Sequence, residues 1–225
     1  MFFYLYMDKK SFIVICGPIG SGKTTVAKIL HALTGFRVYD ENIDNHPVLQ
    51  NFYKDMKKHA YQLQIFLLGR RNSDHITIAN SEEGAIQVRP IYEDYSIFAP
   101  HLHKIGAMTD EEYENYKTVF KIYLKKLPNP DLLVYLRTSP SVIKERIRAR
   151  GLAYEKDMLK PDNTYLDDMH YYYEKFFEDY NISEKIVINT DNLDFKKNRR
   201  HIISLIEPVL QKIGMFNEEW KFMFS

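Results

Sequence analysis

A glycine-rich octapeptide near the amino terminus constrains the fold of this chain more than any other feature. Residues 17–24, GPIGSGKT, match the pattern GxxxxGK[ST] in full. The apolar run Ser11 to Cys16 precedes them, and apolar residues spaced along one helix face follow from Lys23 to Leu33. Glycines let successive N–H groups point at an anion, and the helix adds the positive end of its dipole. The sequence therefore predicts a strand, an anion-binding loop and a helix.

This loop predicts binding of ATP together with Mg²⁺. The Lys23 ammonium places a positive charge at the β- and γ-phosphates, and the Thr24 hydroxyl is a ligand for Mg²⁺. The residues expected to hold ATP are Gly17, Gly20, Ser21, Gly22, Lys23, Thr24 and Thr25.

Strands and helices alternate along the chain in the order that a doubly wound parallel sheet requires. The 225 residues predict a single α/β domain, with a mostly five-stranded parallel sheet and helices on both faces. Strands are predicted at Ser11–Cys16, Arg37–Asp40, Ala85–Arg89, Asp131–Arg137 and Lys185–Asn189. Helices are predicted at Lys23–Leu33, Pro47–Lys57, Ala60–Asn80, about Ser96–Lys104, Thr109–Lys125, Pro140–Arg150, Thr164–Tyr180 and Phe195–Ile213. The polar stretch 151–163 lacks apolar periodicity and is the expected lid.

Charge and cysteine content narrow the possible partners. The formal charge is +1, so there is no general electrostatic reason to expect binding to a nucleic-acid polymer or an anionic membrane. No run of 18 apolar residues occurs, so no membrane span is expected. The single cysteine, Cys16, excludes a disulfide framework and favours a reducing, cytoplasmic location. The aromatic segment Phe216 to Phe224 either caps the core or meets a partner.

Three groups of polar residues outside the loop have two interpretations each. Glu41 follows the second strand, at the sheet edge where ligands bind in such folds, but it also suits a solvated loop. Gln64 and Arg71 bracket an apolar patch on one helix face, which suits either a flat heterocycle or a helix with solvated polar ends. Arg146 and Arg150 suit either a phosphate-closing lid or a solvated helix end.

Five segments in order resemble the deoxynucleoside kinases, from about Phe12 to Tyr180. They are GPIGSGKTT, YDENIDNHPVLQNFYKD, HAYQLQIFLLGRR, RPIYEDYSIFA and ERIRARG. The resemblance implies a homodimer and a role for each matched residue. Glu41 would activate the substrate 5′-hydroxyl, Arg89 would lie close to the 5′-oxygen and the γ-phosphate, and Arg146 and Arg150 would be lid arginines, Arg146 also binding ATP. Tyr53 and Glu155 would hold the sugar 3′-hydroxyl, and Gln64, Arg71 and Asp94 would contact the base.

The arginine and aspartate at the base positions resemble the purine and cytosine kinases, so the resemblance implies a purine deoxynucleoside, deoxyadenosine ahead and deoxycytidine next. Val88 and Pro90 flank Arg89 where the family has an acid and a serine, Asn42 replaces a proline, and Leu152 replaces a further lid arginine. These departures permit a slow kinase, a kinase with an altered acceptor, or a catalytically weak or inactive nucleotide-binding relative. A nucleoside monophosphate kinase is a further alternative.

Overall fold

The central sheet of the computed structural model, which describes residues 10–40, 46–193, 198 and 200–216, has five parallel strands. The strands are β1 (Phe12–Cys16), β2 (Arg37–Tyr39), β3 (Ala85–Val88), β4 (Leu132–Arg137) and β5 (Glu184–Asn189). Their order in the sheet is β2-β3-β1-β4-β5, so β1 is central, with β3 on one side and β4 on the other. This confirms the predicted sheet, and each strand bound lies within one residue of its prediction.

Helices connect and cover these strands. The described ones are α1 (Lys23–Thr34), α2 (Pro47–Lys54), α3 (Met56–Ala79), α4 (Ile91–Glu93), α5 (Ala99–Lys104), α6 (Asp110–Leu124), α7 (Pro140–Arg150), α8 (Tyr165–Asp179) and α9 (Arg200–Lys212). A π-helical segment, Asp94–Phe98, joins α4 to α5, and a 3₁₀ helix, Ala153–Leu159, lies within the expected lid. No helix among the described residues is long and apolar enough to cross a membrane.

Three predicted helix boundaries are wrong. α2 ends at Lys54 rather than Lys57, and α3 begins at Met56 rather than Ala60, because the Asp55 side chain accepts a hydrogen bond from the Lys58 N–H at 3.1 Å and caps α3. Helical structure also begins at Ile91 rather than near Ser96, directly after the extended Pro90. For the last helix, residues 195–197 and 199 of the predicted range lie outside the described residues, as do 217–225 of the aromatic carboxyl-terminal segment.

Both faces of the sheet are buried, which explains the continuous apolar runs of the central strands. Along β1, Val14 and Cys16 join a cluster with residues of α3, α6 and α8, whereas Ile13 and Ile15 join a second cluster with residues of α1 and α9. Helices therefore cover both faces, as predicted. This packing fixes the carboxyl ends of β1, β3 and β4 at one edge, which is where ligands bind in open α/β sheets.

Candidate active site

The phosphate loop, residues 17–22, leaves β1 and turns directly into α1. Gly17, Gly20 and Gly22 have φ of 146°, 75° and 97°, a region that favours glycine. A Cβ at Gly17 would lie 2.8 Å from the Leu136 carbonyl oxygen, so the loop also needs glycine there to pack against β4. The loop thus brings its amides and the amino-terminal end of α1 to the sheet edge.

Lys23, the first residue of α1, is 7% exposed. Its Nζ donates to the carbonyl oxygens of Gly17 at 2.6 Å and Pro18 at 2.8 Å. Burial and, to a lesser extent, the positive charge of Arg89 lower the pKa of the Lys23 ammonium to about 7, although the charges of Glu93 and Asp40 act to raise it. Thr24 and Thr25 are exposed in the first turn of the same helix.

Arg89 lies at the bend after β3, at the same edge of the sheet as the phosphate loop. Its φ of 59° is the only positive value among the non-glycine residues that the structure describes. Its backbone N–H donates to the Ile15 carbonyl at 3.1 Å, and its guanidinium carbon lies 5.8 Å from the centre of the Phe98 ring. A left-handed non-glycine residue costs on the order of 1 kcal/mol or more, and such residues cluster at functional sites.

Glu93, which sequence reasoning missed, is completely buried between the phosphate loop and α8. Its Oε1 accepts from the Gly17 N–H at 3.1 Å, and its Oε2 accepts from the Tyr173 hydroxyl at 3.2 Å. The same Oε2 lies 3.8 Å from Nη1 of Arg89. Burial raises the pKa of the Glu93 carboxyl, while the charges of Arg89, Lys23 and Arg71 lower it. The available sequence signal was an acid four residues after Arg89, one helical turn away.

A second polar set lies between α3 and the π-helical segment. Gln64 and Arg71 are each 3% exposed and Asp94 is 0% exposed, and Nη1 of Arg71 forms an ion pair with Oδ1 of Asp94. The Gln64 Oε1 has no hydrogen-bond partner within the described part of the chain. Burying such groups is costly unless they are paired. A few polar groups in an apolar surround are typical of a pocket that recognises the edge of a flat ligand.

Arg146 and Arg150, the two predicted lid arginines, lie on α7 and have different partners. Nη1 of Arg146 donates to the Gly20 carbonyl at 3.0 Å and to the Thr190 hydroxyl at 3.2 Å, so Arg146 joins the phosphate loop to the turn after β5. Nε of Arg150 donates to Glu155 at 3.0 Å. Glu155 is 1% exposed in the 3₁₀ helix, so this pair ties the end of α7 to the expected lid.

The remaining predicted residues are less closely assembled. Tyr53 lies on α2 and is 44% exposed, with its ring centre 5.6 Å from that of Phe52. Glu41, the predicted activator of the acceptor hydroxyl, lies outside the described residues, as does Asn42. Asp40, which follows β2, is close enough for its charge to affect the pKa of Lys23. The site thus has two parts. One is the phosphate loop, called the donor half because it would hold the phosphate donor, and the other is the buried polar set of Gln64, Arg71 and Asp94.

The parallel sheet, with a phosphate loop after its central strand, defines a P-loop kinase fold. The chain belongs to the deoxynucleoside kinase family, whose sequence model, described as "Deoxynucleoside kinase", matches residues 13–213. This confirms the resemblance and identifies the chain as an enzyme of that class.

Similar proteins differ in the base named for each. The chain is 34% identical over 218 residues to a deoxyguanosine kinase of Lactobacillus johnsonii, covering 93% of this chain and 96% of the relative. It is 30% identical over 210 residues to a deoxyadenosine/deoxycytidine kinase of Bacillus subtilis, covering 92% and 95%. The solved structure of a deoxyadenosine kinase from M. mycoides with bound dATP aligns with a TM-score of 0.73 and 25% identity, covering 90% of this chain and 99% of that one.

Proposed function

We propose that this chain transfers the γ-phosphoryl group of ATP to the 5′-hydroxyl of a purine deoxynucleoside, with deoxyadenosine preferred, in nucleotide salvage. The observation that carries the proposal is the buried set of Gln64, Arg71 and Asp94. Asp94 directly follows Glu93, whose carboxylate contacts the phosphate loop. The base-recognition set and the donor loop are therefore joined through two adjacent residues.

The donor half suits ATP with Mg²⁺. The glycine conformations, the buried Ser21 hydroxyl without a hydrogen-bond partner among the described residues, and the exposed Thr24 hydroxyl all fit a triphosphate and its metal. When bound, Mg²⁺ neutralises charge on the phosphates. Thr24 would hold the ion, and Lys23 would turn from the Gly17 carbonyl towards the phosphate oxygens. An approaching anion favours the charged form of Lys23.

In the transfer, the 5′-oxygen forms a bond to the γ-phosphorus as the bond between that phosphorus and the β–γ bridging oxygen breaks. ADP and a deoxynucleoside 5′-monophosphate result, and the hydroxyl proton goes to the Glu41 carboxylate. Lys23 and Arg89 stabilise the charge on the moving group, together with Arg146 and Arg150 when the lid closes. Tyr53 and Glu155 hold the sugar 3′-hydroxyl.

Base recognition follows from the donors and acceptors of the buried set. The Gln64 amide both accepts and donates, which matches adjacent donor and acceptor groups on adenine. The Arg71 guanidinium donates to a ring nitrogen, and the Asp94 carboxylate fixes its orientation.

An acceptor panel tests this function directly. With ATP and Mg²⁺, transfer to deoxyadenosine should exceed transfer to the other three common deoxynucleosides, and Lys23→Ala should abolish it. A higher rate with dAMP than with deoxyadenosine would instead support a monophosphate kinase, and no transfer to any acceptor would support a nucleotide-binding relative.

Glu41→Gln tests the proposed proton acceptor. It should lower kcat by about 10²–10⁴ while nucleoside binding survives, because the amide cannot take the proton. The matched control is Glu83→Gln, which changes an exposed carboxylate before β3 and should leave kcat unchanged. Unchanged turnover of the Glu41 variant would remove this residue from the mechanism.

We place the enzyme in the cytoplasm as a homodimer with one domain, 1–225, and a lid at 151–163. The buried free thiol of Cys16 suits a reducing compartment.

Ile76 on α3 and Ile122 on α6, 45% and 54% exposed, offer apolar contacts for the proposed dimer on two helices that pack together. Light scattering on the native chain and on Ile122→Lys tests the dimer: the native chain should have twice the monomer mass, and the variant less.

A further inference from the structure

Glu93 is a fully buried carboxylate to which the reaction described above assigns no role. It contacts three separate parts of the molecule: the Gly17 N–H of the loop, the Tyr173 hydroxyl of α8, and the Arg89 guanidinium after β3. A buried charge is tolerated only where partners compensate it. Two of these partners belong to the proposed reaction site: the first amide of the phosphate loop, and the Arg89 cation that is proposed to meet the transferring phosphoryl group.

Arg89 is restrained at both ends. Its backbone, at φ 59°, is anchored by the hydrogen bond from its N–H to the Ile15 carbonyl. Its guanidinium lies beside the Glu93 carboxylate and near the face of the Phe98 ring. The preceding residue, Val88, is 3% exposed and belongs to the apolar cluster that contains Ile15, so it brings no charge to this place.

We propose that Glu93 is a positioning residue for phosphoryl transfer, whose carboxylate holds the Arg89 guanidinium in register with the phosphate loop. The proposal rests on the role proposed for Arg89 in the transfer. Because one carboxylate contacts both the loop amide and the guanidinium, Glu93 links the position of Arg89 to that of the phosphate loop.

The charges of Lys23, Arg89 and Glu93 predict that Glu93→Gln should affect kcat and ATP affinity differently. Lys23, Arg89 and Glu93 together carry one net positive charge when all three are ionised. Glu93→Gln keeps an oxygen that can accept from the Gly17 N–H, but it removes the negative charge, so the loop keeps its acceptor and the bound phosphates meet one negative charge fewer. ATP binding should therefore hold or tighten. Without the Glu93 charge, the Arg89 guanidinium should be less well positioned. This should lower kcat, since a small misplacement of a reacting group greatly lowers the rate.

The experiment is a double-mutant cycle of Glu93→Gln and Arg89→Ala at about pH 8, where carboxylates are ordinarily ionised. Glu93→Gln should lower kcat about tenfold to a hundredfold without raising the Kd for ATP, and it should cause no further loss in the Arg89→Ala background. The control is Asp131→Asn, which changes a carboxylate that accepts from the Phe12 N–H at the opposite end of β1 and should leave kcat unchanged. Tyr173→Phe, which removes only the hydroxyl, should lower kcat in the same direction by less.

Additive losses of kcat, or a Kd for ATP that rises in both the Glu93→Gln and Tyr173→Phe variants, would overturn the positioning role and indicate a purely structural one. A readout that needs no turnover is the ¹⁵N–¹H signal of the Arg89 guanidinium. It should be protected from exchange in the native chain and lose that protection in Glu93→Gln and, in part, in Tyr173→Phe. An unchanged signal would also overturn the proposal. Absence of transfer by the native chain would instead refute the proposed function.

Discussion

At the scale of single residues, the phosphate loop holds an ammonium group away from water before any substrate arrives. The Lys23 Nζ is satisfied by two loop carbonyls and is nearly completely buried, with Arg89 nearby. Both burial and the neighbouring cation favour its neutral form, as the lowered pKa records. A bound triphosphate favours the charged form of Lys23 instead, so ATP binding and the protonation of Lys23 are coupled.

We expect ATP binding to take up protons at a pH above about 7, because the lowered pKa of about 7 leaves Lys23 partly neutral in the free protein and the phosphates return it towards the usual 10.5. Calorimetric titrations with ATP in two buffers of different protonation enthalpy measure the uptake. Below this pH the uptake should vanish, since Lys23 is then protonated in both states. Lys28→Met, which changes an exposed lysine of the same helix, should retain the uptake. Equal enthalpies in both buffers above this pH would contradict the prediction.

Asp94→Asn is expected to weaken deoxyadenosine recognition, because it leaves Arg71 buried without its anionic partner. A hydrogen bond to a charged group contributes about 1.5–3 kcal/mol, so kcat/KM for deoxyadenosine should fall about tenfold to a hundredfold. The KM for ATP should change little, which initial-rate kinetics with each substrate varied in turn would show.

The control for that substitution is Asp168→Asn, which breaks the ion pair with Lys104 at the protein surface. Exposed pairs contribute about 0–1 kcal/mol, so neither stability nor kcat/KM should change appreciably. Equal losses in the two variants would contradict a role for Asp94 in base recognition.

Several candidate site residues could be predicted from the sequence because their chemistry is local. The loop glycines, Lys23 and Thr24 lie within one octapeptide, and Gln64 and Arg71 share a helix face. Glu93 could not be found in this way, because its partner Gly17 lies 76 residues away and only the sheet brings the two together. The role of the adjacent Asp94 was predicted from the family resemblance, which implied no role for Glu93.

At the scale of elements, the segment from Ile91 to Lys104 shows how helix geometry gives neighbouring residues different partners. Successive side chains on a helix point about 100° apart, as 3.6 residues per turn require. Glu93 therefore faces the loop, while Asp94, which begins the π-helical segment, faces α3. π-helical turns often occur at functional sites. Sequence patterns placed this helix start too late, because Pro90 and the short α4 show no apolar periodicity.

The amino-terminal cap of α6 should contribute to the stability of the protein but not to catalysis. The Thr109 hydroxyl accepts from the Glu112 N–H at 3.2 Å, and Glu112 Oε2 accepts from the Thr109 N–H at 2.9 Å. Thr109→Ala should lower the free energy of unfolding by about 1 kcal/mol, measured by urea denaturation, with kcat unchanged.

Thr118→Ala provides the matched comparison within the same helix. The Thr118 hydroxyl donates to the Glu114 carbonyl in the helix interior, where alanine is the better helix former. This variant should be as stable as the native chain or slightly more stable. If both threonine variants lose the same stability, the cap is not the cause.

At the scale of the whole molecule, the two apolar clusters on opposite sides of the sheet explain why the strands were predicted well. β1 and β4 are buried on both faces, so each gives an uninterrupted apolar run that needs no knowledge of its neighbours. The order of the strands and the burial of Arg71 and Asp94 depend on the complete fold. Neither the strand order nor this burial can be predicted from the pattern of residues along the chain.

Cys16 offers a probe of that fold, since it is the single cysteine and lies completely buried at the end of the central strand. Burial raises the pKa of its thiol well above the ordinary value. We expect a thiol reagent to label the native protein only slowly, through unfolding, and to label one site per chain rapidly in denaturant. ATP should slow the labelling further by stabilising the folded state. Rapid labelling of the native protein would contradict this packing.

The adjacency of Glu93 and Asp94 bears on how substrate range can drift over time. The Glu93 carboxylate contacts the phosphate loop, and the adjacent Asp94 pairs with Arg71, the arginine proposed to contact the base. An insertion, deletion or kink in this single turn would therefore alter both places together. Lineages that explore new bases are then expected to vary the surrounding helices and to leave this dipeptide and its spacing from Arg89 untouched.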